Sequence, residues 1–307
     1  MTAATIDRRP ASAPASAPTR RRTRALRVPQ WFDILWRNKK ARFGMVLLAL
    51  FLLMAALAPW LAPFDPRQSG FPPGLPPSSE HWLGTTGRGY DVASQAIWGA
   101  RTSLLVGLVA GSISTAIALA IGMTAGYLGG LTDEVLSFLT NLVLVVPTLP
   151  LMVVLAAYLP GGGGVWMVVI VIGITGWAGA ARNKRAQILT LRNREYIQGA
   201  RQAGDGIFHI VFREIAPNMT SLIVVGFIAA VGGAIGAEAG LAFIGIGDPE
   251  TISWGTMLYW ANQDGALLTG GFARLVVPGL LLALLTTALT FINFGVDALS
   301  NPHLREQ

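Results

Sequence analysis

Apolar residues run along this chain in six long blocks, with polar segments gathered between them. A bilayer core about 30 Å thick takes roughly 20 helical residues to cross, and the blocks are of that scale. The first reads "FGMVLLALFLLMAALAPWL" (43–61). It follows the basic "RNKKAR" and stops in "APWLAPFDP", where successive prolines cannot continue a helix. Residues 62–100 are polar and Pro-rich and read as loop with little regular structure, apart from a short amphipathic helix around Tyr90–Ala100. The second block covers about Ser103–Leu128. Its pairs Gly107/Gly111 and Gly122/Gly126 have the spacing that lets helix backbones approach closely in lipid. After the turn "GGLTDE" the third block, about Val135–Leu159, is interrupted by "VPTLP". Pro147 and Pro150 at membrane depth kink that helix, and the freed carbonyls need partners in the bundle or in a wet cavity. "PGGGG" (160–164) is a turn. The remaining blocks are about Val165–Ala181, Met219–Ile244 and Ala273–Phe294, with short interfacial helices expected in 245–272. The pattern predicts an all-α, polytopic membrane protein with six transmembrane helices.

The long polar segment between the fourth and fifth blocks keeps a helical rhythm. Ile188, Leu191, Ile197, Ala200 and Ala203 recur at helical spacing until Gly204, which costs about 1 kcal/mol inside a helix but ends one readily at positive φ. Asp205 is then placed to cap a second helix, about Gly206–Ala216. Ile207, Ile210, Val211 and Ile215 share one side of that helix, and His209, Arg213 and Glu214 lie elsewhere. Pro217 is expected to end it before the fifth span. The product is a helix–turn–helix elbow, and two readings of it stand. It packs under its own bundle, or it presents a docking surface.

Charge orients the elbow. Of 23 Lys and Arg, eleven lie in residues 1–42 and seven lie between Arg182 and Arg213. Basic residues are retained on the cytoplasmic side, so both regions and both termini are expected there. A net charge of +7 is thereby read as topology, with no nucleic-acid partner implied. Residues 1–30 read as a disordered basic tail that is solvated or touches anionic lipid. The further division is a first helix with its external segment (31–100), a core of five helices (101–299) and a cytoplasmic C-terminal tail (300–307).

Only 13% of residues are charged and none is cysteine, which excludes disulfides and thiolate chemistry. "GTTGRG" (84–89) lacks the Lys and Ser/Thr of a phosphate loop. His81, His209 and His303 lie outside the blocks and far apart, which gives neither a metal set nor a Ser–His pair. The sequence therefore predicts no catalytic residues, no metal and no cofactor. Glu238 is the one acidic residue deep in a block. It is either a hydrogen-bonded packing residue or a functional ionisable group.

Residues 195–218, "EYIQGARQAGDGIFHIVFREIAPN", resemble the EAA loop of ABC-importer permeases, closest to the dipeptide/oligopeptide/nickel group. Ala200, Arg201, Gly204, Pro217 and Asn218 match that pattern. Gln198 and Gly199 stand where the family has Glu and Ala, and Glu214 stands where this group often has His. "APWLAPFDP" (58–66), "HWLGTTGRGYDVASQAIWGARTSLLVGL" (81–108), "EAGLAFIGIGDPETISWGTML" (238–258) and "FINFGVDALSNPHLR" (291–305) resemble further family segments in order. Within the second of these, Thr86 and Tyr90 replace the usual Asp and Arg. The long first span is similar to the C-type of the two permease subunits.

The resemblance implies a MetI-like fold and a non-catalytic subunit. Its implied partners are a second homologous permease, two cytoplasmic ABC ATPases that hydrolyse ATP, and a solute-binding protein. It assigns ATPase coupling to Ala200, Arg201, Gly204, Asp205, Gly206 and Ile207, and to Phe208, Ile210, Val211, Arg213 and Glu214. The implied solutes are peptides, with nickel chelates and oligosaccharides as alternatives. A stand-alone secondary transporter or channel would want several buried ionisable groups or an internal repeat.

Overall fold

A computed structural model describes residues 35–158 and 164–300, with side chains placed through residue 296. The basic tail of residues 1–30, the "PGGGG" turn up to residue 163, and residues 301–307 with His303 lie outside the described residues. The described part is helical, and its only extended pairing is an isolated antiparallel bridge between Thr85 and Asp91.

Helix α1 spans Lys39–Ala56, capped by the Asn38 side chain, which accepts from the Lys40 and Ala41 amides at 3.0 and 3.1 Å. A single turn, Ala58–Leu61, follows, with Pro59 in its opening positions. Helix α2 is one unbroken helix of 37 residues, Val92–Leu128, about 55 Å long at 1.5 Å per residue. The apolar pattern predicts a short interfacial helix around Tyr90–Ala100 and a separate span from Ser103; the two are one element. The reason for continuity is at its start. Asp91 caps the helix by accepting from the Ser94 amide at 2.8 Å and the Ser94 hydroxyl at 2.7 Å. Nothing between there and Ser103 breaks it: Gly99 lies in a helical turn against Trp254, which is fully buried and donates its indole N–H to the Ala96 carbonyl at 2.9 Å.

Asp91 also organises the preceding segment, which is more ordered than the expected loop. The buried His81 ring nitrogen Nδ1 sits 2.9 Å from Asp91 Oδ1, and Phe64 and Phe71 pack on the imidazole at 5.0 and 4.6 Å. Thr85, also buried, donates to the Pro72 carbonyl at 2.7 Å. Burial of these polar groups is tolerable because each has a partner.

The two glycine pairs are the contact points of α2. A Cβ on Gly111 would lie 2.9 Å from Val231 Cα, and one on Gly107 would lie 2.4 Å from Ile235 Cγ1; both neighbours belong to α8, Thr220–Phe243. A Cβ on Gly122 would meet the Ala181 carbonyl at 2.6 Å, and one on Gly126 would meet Ile188 Cβ at 3.0 Å. These belong to α6, Ala178–Leu191, which continues from α5, Val165–Thr175. Glycine at one pair seats α8 and at the other seats α6, and close backbone approach is what holds helices together when lipid offers no hydrophobic drive.

The third apolar block is two helices, α3 (Gly130–Val145) and α4 (Thr148–Tyr158), bent by 92°. The bend lies at Val146–Pro147. Val146 is extended, with φ −74° and ψ 126°, the conformation a following proline imposes. Pro150 is not at the bend. It occupies the first turn of α4, where a missing N–H costs nothing. A forked pair ties α3 to α6: Arg185 Nη2 donates to Asp133 Oδ2 at 2.7 Å and Nε donates to Oδ1.

Past the elbow, α8 leads through a loop to α9, Trp254–Gln263, and α10, Phe272–Ser300, closes the described chain against α1. Val92–Leu128, Val165–Leu191, Thr220–Phe243 and Phe272–Val296 are long and apolar enough to cross a membrane, and the bent pair would make a fifth crossing. Glu238 lies buried here with one carboxylate oxygen hydrogen-bonded and the other, Oε2, without a hydrogen-bond partner among the described residues. It is 5% exposed, and its Oε1 accepts from Ser253 Oγ at 2.6 Å. Ser253 in turn caps α9 in a reciprocal box with Thr256.

Candidate functional site

The segment between α6 and α8 forms an elbow at the end of the molecule where α2 finishes. Helix α7, Glu195–Gln202, stops at Gly204, whose φ is +85°. The Gly204 amide donates to the Arg201 carbonyl and the Asp205 amide donates to the Ala200 carbonyl, both at 3.1 Å. This 5→2 and 6→1 pairing is the Schellman ending, for which glycine is the residue without a Cβ penalty. Ala200 and Arg201 thus serve the turn through their backbones. The Arg201 guanidinium also lies over the Tyr127 ring at 4.9 Å and donates to its hydroxyl at 3.3 Å, which fixes α7 to the end of α2.

The second arm runs Ile207–His209, Ile210–Ile215 and Ala216–Asn218, the middle stretch being π-helical. Its cap position is Gly206, not Asp205. The Schellman turn consumes Asp205, whose carboxylate instead faces His209 at 3.9 Å. Pro217 does not end the arm, as the sequence had suggested. It lies within Ala216–Asn218, and the chain turns one residue later at Met219, with φ −109° and ψ 6°. A proline at 217 has no amide to give and its ring crowds the carbonyl four residues back. The preceding turns widen accordingly, with the Ala216 amide reaching Val211, and Asn218 Nδ2 caps the Glu214 carbonyl at 2.6 Å. Such π turns recur where a helix has been adapted to a function.

The two faces of this arm differ sharply. Ile210, Val211 and Ile215 are buried with Ile197, Ile188, Met123, Tyr127 and Met219 in one cluster that joins both arms to α2 and α6. Ile207, grouped with them from the sequence, is 54% exposed. It lies beside Phe208 and Phe212, which are 81% and 60% exposed and stack with ring centroids 6.2 Å apart. Arg213, Asp205 and Gly206 are exposed around them, and Glu214 is half-buried. An apolar patch rimmed by polar residues marks an interaction surface. Phe212 was not picked out from the sequence, although its spacing of four from Phe208 is the signal that would have found it.

A cavity of about 560 Å³ opens between α8 and the α4, α5 and α6 helices. Small residues of α8, among them Gly226, Ala230 and Gly233, leave the space, and Ser114, Thr148 and Asn183 give it polar edges. Lys184, one turn before Ile188 on α6, reaches across it, so that a Cβ on Gly226 would lie 3.2 Å from Lys184 Nζ. A smaller recess of about 280 Å³ lies at the opposite end of α2, where Arg88 stacks on Trp260 at 4.1 Å and donates to Glu250 at 3.2 Å.

Comparisons with known proteins agree with this architecture. Residues 118–306 match the family described as the binding-protein-dependent transport system inner membrane component, and residues 30–77 match the N-terminal TM domain of oligopeptide transport permease C. The chain is 34% identical over 275 residues to the dipeptide transport system permease protein DppC of Bacillus subtilis (strain 168), covering 88% of this chain and 84% of that one. It is 31% identical over 281 residues to the oligopeptide transport system permease protein OppC of the same organism, covering 90% of each. With OppC of Mycobacterium tuberculosis (strain CDC 1551 / Oshkosh) the figure is 32% over 224 residues, covering 72% and 77%. A solved chain of the MetNI methionine ABC transporter, in inward-facing conformations, superposes with a TM-score of 0.53 at 17% identity, covering 67% of this chain and 94% of that one. That likeness shows a shared fold. Helices able to span a bilayer, a glycine-seated bundle and sequence likeness across most of its length lead to one conclusion: the chain belongs to the inner-membrane component family of binding-protein-dependent transport systems.

Proposed function

We propose that this chain is one of two permease subunits of an ATP-driven importer, crossing the membrane six times with both termini in the cytoplasm. Helix α1, with Lys39, Lys40 and Arg42 at its start, is the first crossing, and the bent α3–α4 pair is the third. The basic residues at the start of α1 and in α6 support a cytoplasmic position for the elbow. The cavity between α8 and α4–α6 is half of the solute path, completed by a second, homologous permease. The recess around Arg88 and Trp260 faces the solute-binding protein. Peptides are the proposed solutes, after the relatives named as dipeptide and oligopeptide permeases. The chain itself hydrolyses nothing.

One observation carries this reading. The elbow buries Ile210, Val211 and Ile215 in its own bundle while leaving Ile207, Phe208 and Phe212 uncovered. A segment that only packed beneath the bundle would have no reason to turn its largest apolar side chains to water. On this proposal they enter a groove of a cytoplasmic ATPase. Its movement is passed through the buried cluster to α2, α6 and the start of α8, rocking the bundle between two packings. In the reconstituted complex, Gly204→Pro removes the amide that closes α7. Substrate-stimulated ATP hydrolysis should then fall to the basal rate while the subunits still assemble. Unchanged stimulation would defeat the coupling role.

A further inference from the structure

We propose that Lys184 is a solute-binding group of the translocation cavity, an ammonium that pairs with the carboxylate of the solute passing through it. The inference rests on the reading of the cavity as half of a peptide path, and it goes beyond that reading by naming a residue and the chemical class it recognises.

Four observations carry it. Lys184 is only 2% exposed as a residue, yet its Nζ borders a space of about 560 Å³ and reaches toward Gly226 on the far wall. Its Nζ has neither an ion pair nor a hydrogen bond among the described residues, whereas Arg185 beside it is bound in a fork by Asp133. Lys184 is the one ionisable side chain among the described residues that line the cavity, so no carboxylate there competes for it. Its position is also fixed. The stem is clamped where α2 and α6 cross, a Cβ on Gly122 meeting Lys184 Cβ at 3.0 Å, and only the head is left to the cavity.

A buried ammonium without a partner is costly in a membrane protein. A carboxylate entering the cavity would relieve that cost with a charge-assisted hydrogen bond, and Ser114, Thr148 and Asn183 supply neutral donors and acceptors around it. A peptide released by a binding protein carries such a group at its C-terminus. The pairing must also be reversible, since a path that holds its solute too tightly stops conducting. One cation at a cavity with small apolar walls meets both needs. Lys184 also lies one turn from Ile188, in the cluster that seats the elbow, so the same helix that senses the solute is packed against the arm that meets the ATPase.

The chain has no cysteine, which allows a charge-replacement test in the full importer complex in proteoliposomes. Uptake of tri-alanine is measured for Lys184→Cys before and after treatment with aminoethyl methanethiosulfonate, which restores a positive charge, and with methyl methanethiosulfonate, which does not. The wild-type complex given the same reagents is the reference. Uptake should fall about tenfold or more in the cysteine variant, recover with the aminoethyl reagent and stay low with the methyl reagent. Tri-alanine should also slow the labelling of the cysteine. Equal recovery with the two reagents, or undiminished uptake in Lys184→Cys, would overturn the assignment. Recovery without protection by tri-alanine would assign the charge to a contact with another subunit and equally overturn it. If the wild-type complex takes up no peptide, the peptide reading falls and takes this inference with it. If wild-type uptake is normal and the variant behaves like it, the inference alone falls.

Discussion

Phe208 and Ile210 are two positions apart on the same arm and face opposite environments. Ile210 is 1% exposed and sits in the cluster that holds both arms, whereas Phe208 is 81% exposed. Ile210→Ser should therefore cost about 2–4 kcal/mol of stability, as loss of a buried aliphatic side chain does. Phe208→Ser should leave thermal unfolding in detergent nearly unmoved, within about 0.5 kcal/mol, and weaken co-purification with the ATPase subunits severalfold. A melting curve and a pull-down on the two variants check both halves. The helical rhythm revealed that an apolar face exists but assigned Ile207 to it wrongly. The reason is local: the arm begins at Gly206 and passes into a π turn, so a periodicity of 3.6 does not describe which side each residue takes. Gly204 was legible because its role is a backbone conformation, φ +85°, which sequence chemistry specifies directly.

At the scale of the element, α2 shows what glycine spacing is worth. GxxxG is weak as a motif in a chain with 36 glycines, yet both pairs on α2 are crossing points. Gly122 faces a backbone carbonyl, Ala181 O, at 2.6 Å from any added Cβ, so no side-chain rotation can make room. Gly122→Leu should destabilise the bundle by about 1–3 kcal/mol, as overpacking does. Gly236→Leu, on a face of α8 with nothing within 4 Å, should be close to neutral. Thermal stability of the two purified variants in detergent is the check. The breaks were less legible. Two prolines flagged the third block, but only Pro147 lies at the 92° bend, because a proline in a first turn disturbs nothing. The run to Leu128 was cut short at Ser103 because hydropathy marks where a helix meets lipid and is silent about where it projects beyond.

For the whole molecule, the order of hydrophobic blocks carried the all-helical fold into view, since a bilayer leaves few alternatives to helices in sequence. The interior was not visible. Lys184 reads in the sequence as one more residue of the basic run from Arg182. Only the packing of α6 against α2 and α8 turns it toward a cavity while Arg185 is paired and Arg182 is exposed. The molecule that results has two ordered ends on one 37-residue helix, a loop with a buried His81–Asp91 pair at the start and the elbow at the finish. Coupling requires that a partner ATPase sit at the second end and not the first. Because the chain has no cysteine, Phe208→Cys and the exposed loop residue variant Glu80→Cys can each be tested for thiol cross-linking within the assembled importer. Phe208→Cys should yield a cross-link to an ATPase subunit and Glu80→Cys should yield none to it. Absence of the first cross-link in an assembled, ATP-hydrolysing complex, or an equal yield from Glu80→Cys, would contradict the coupling role of the elbow.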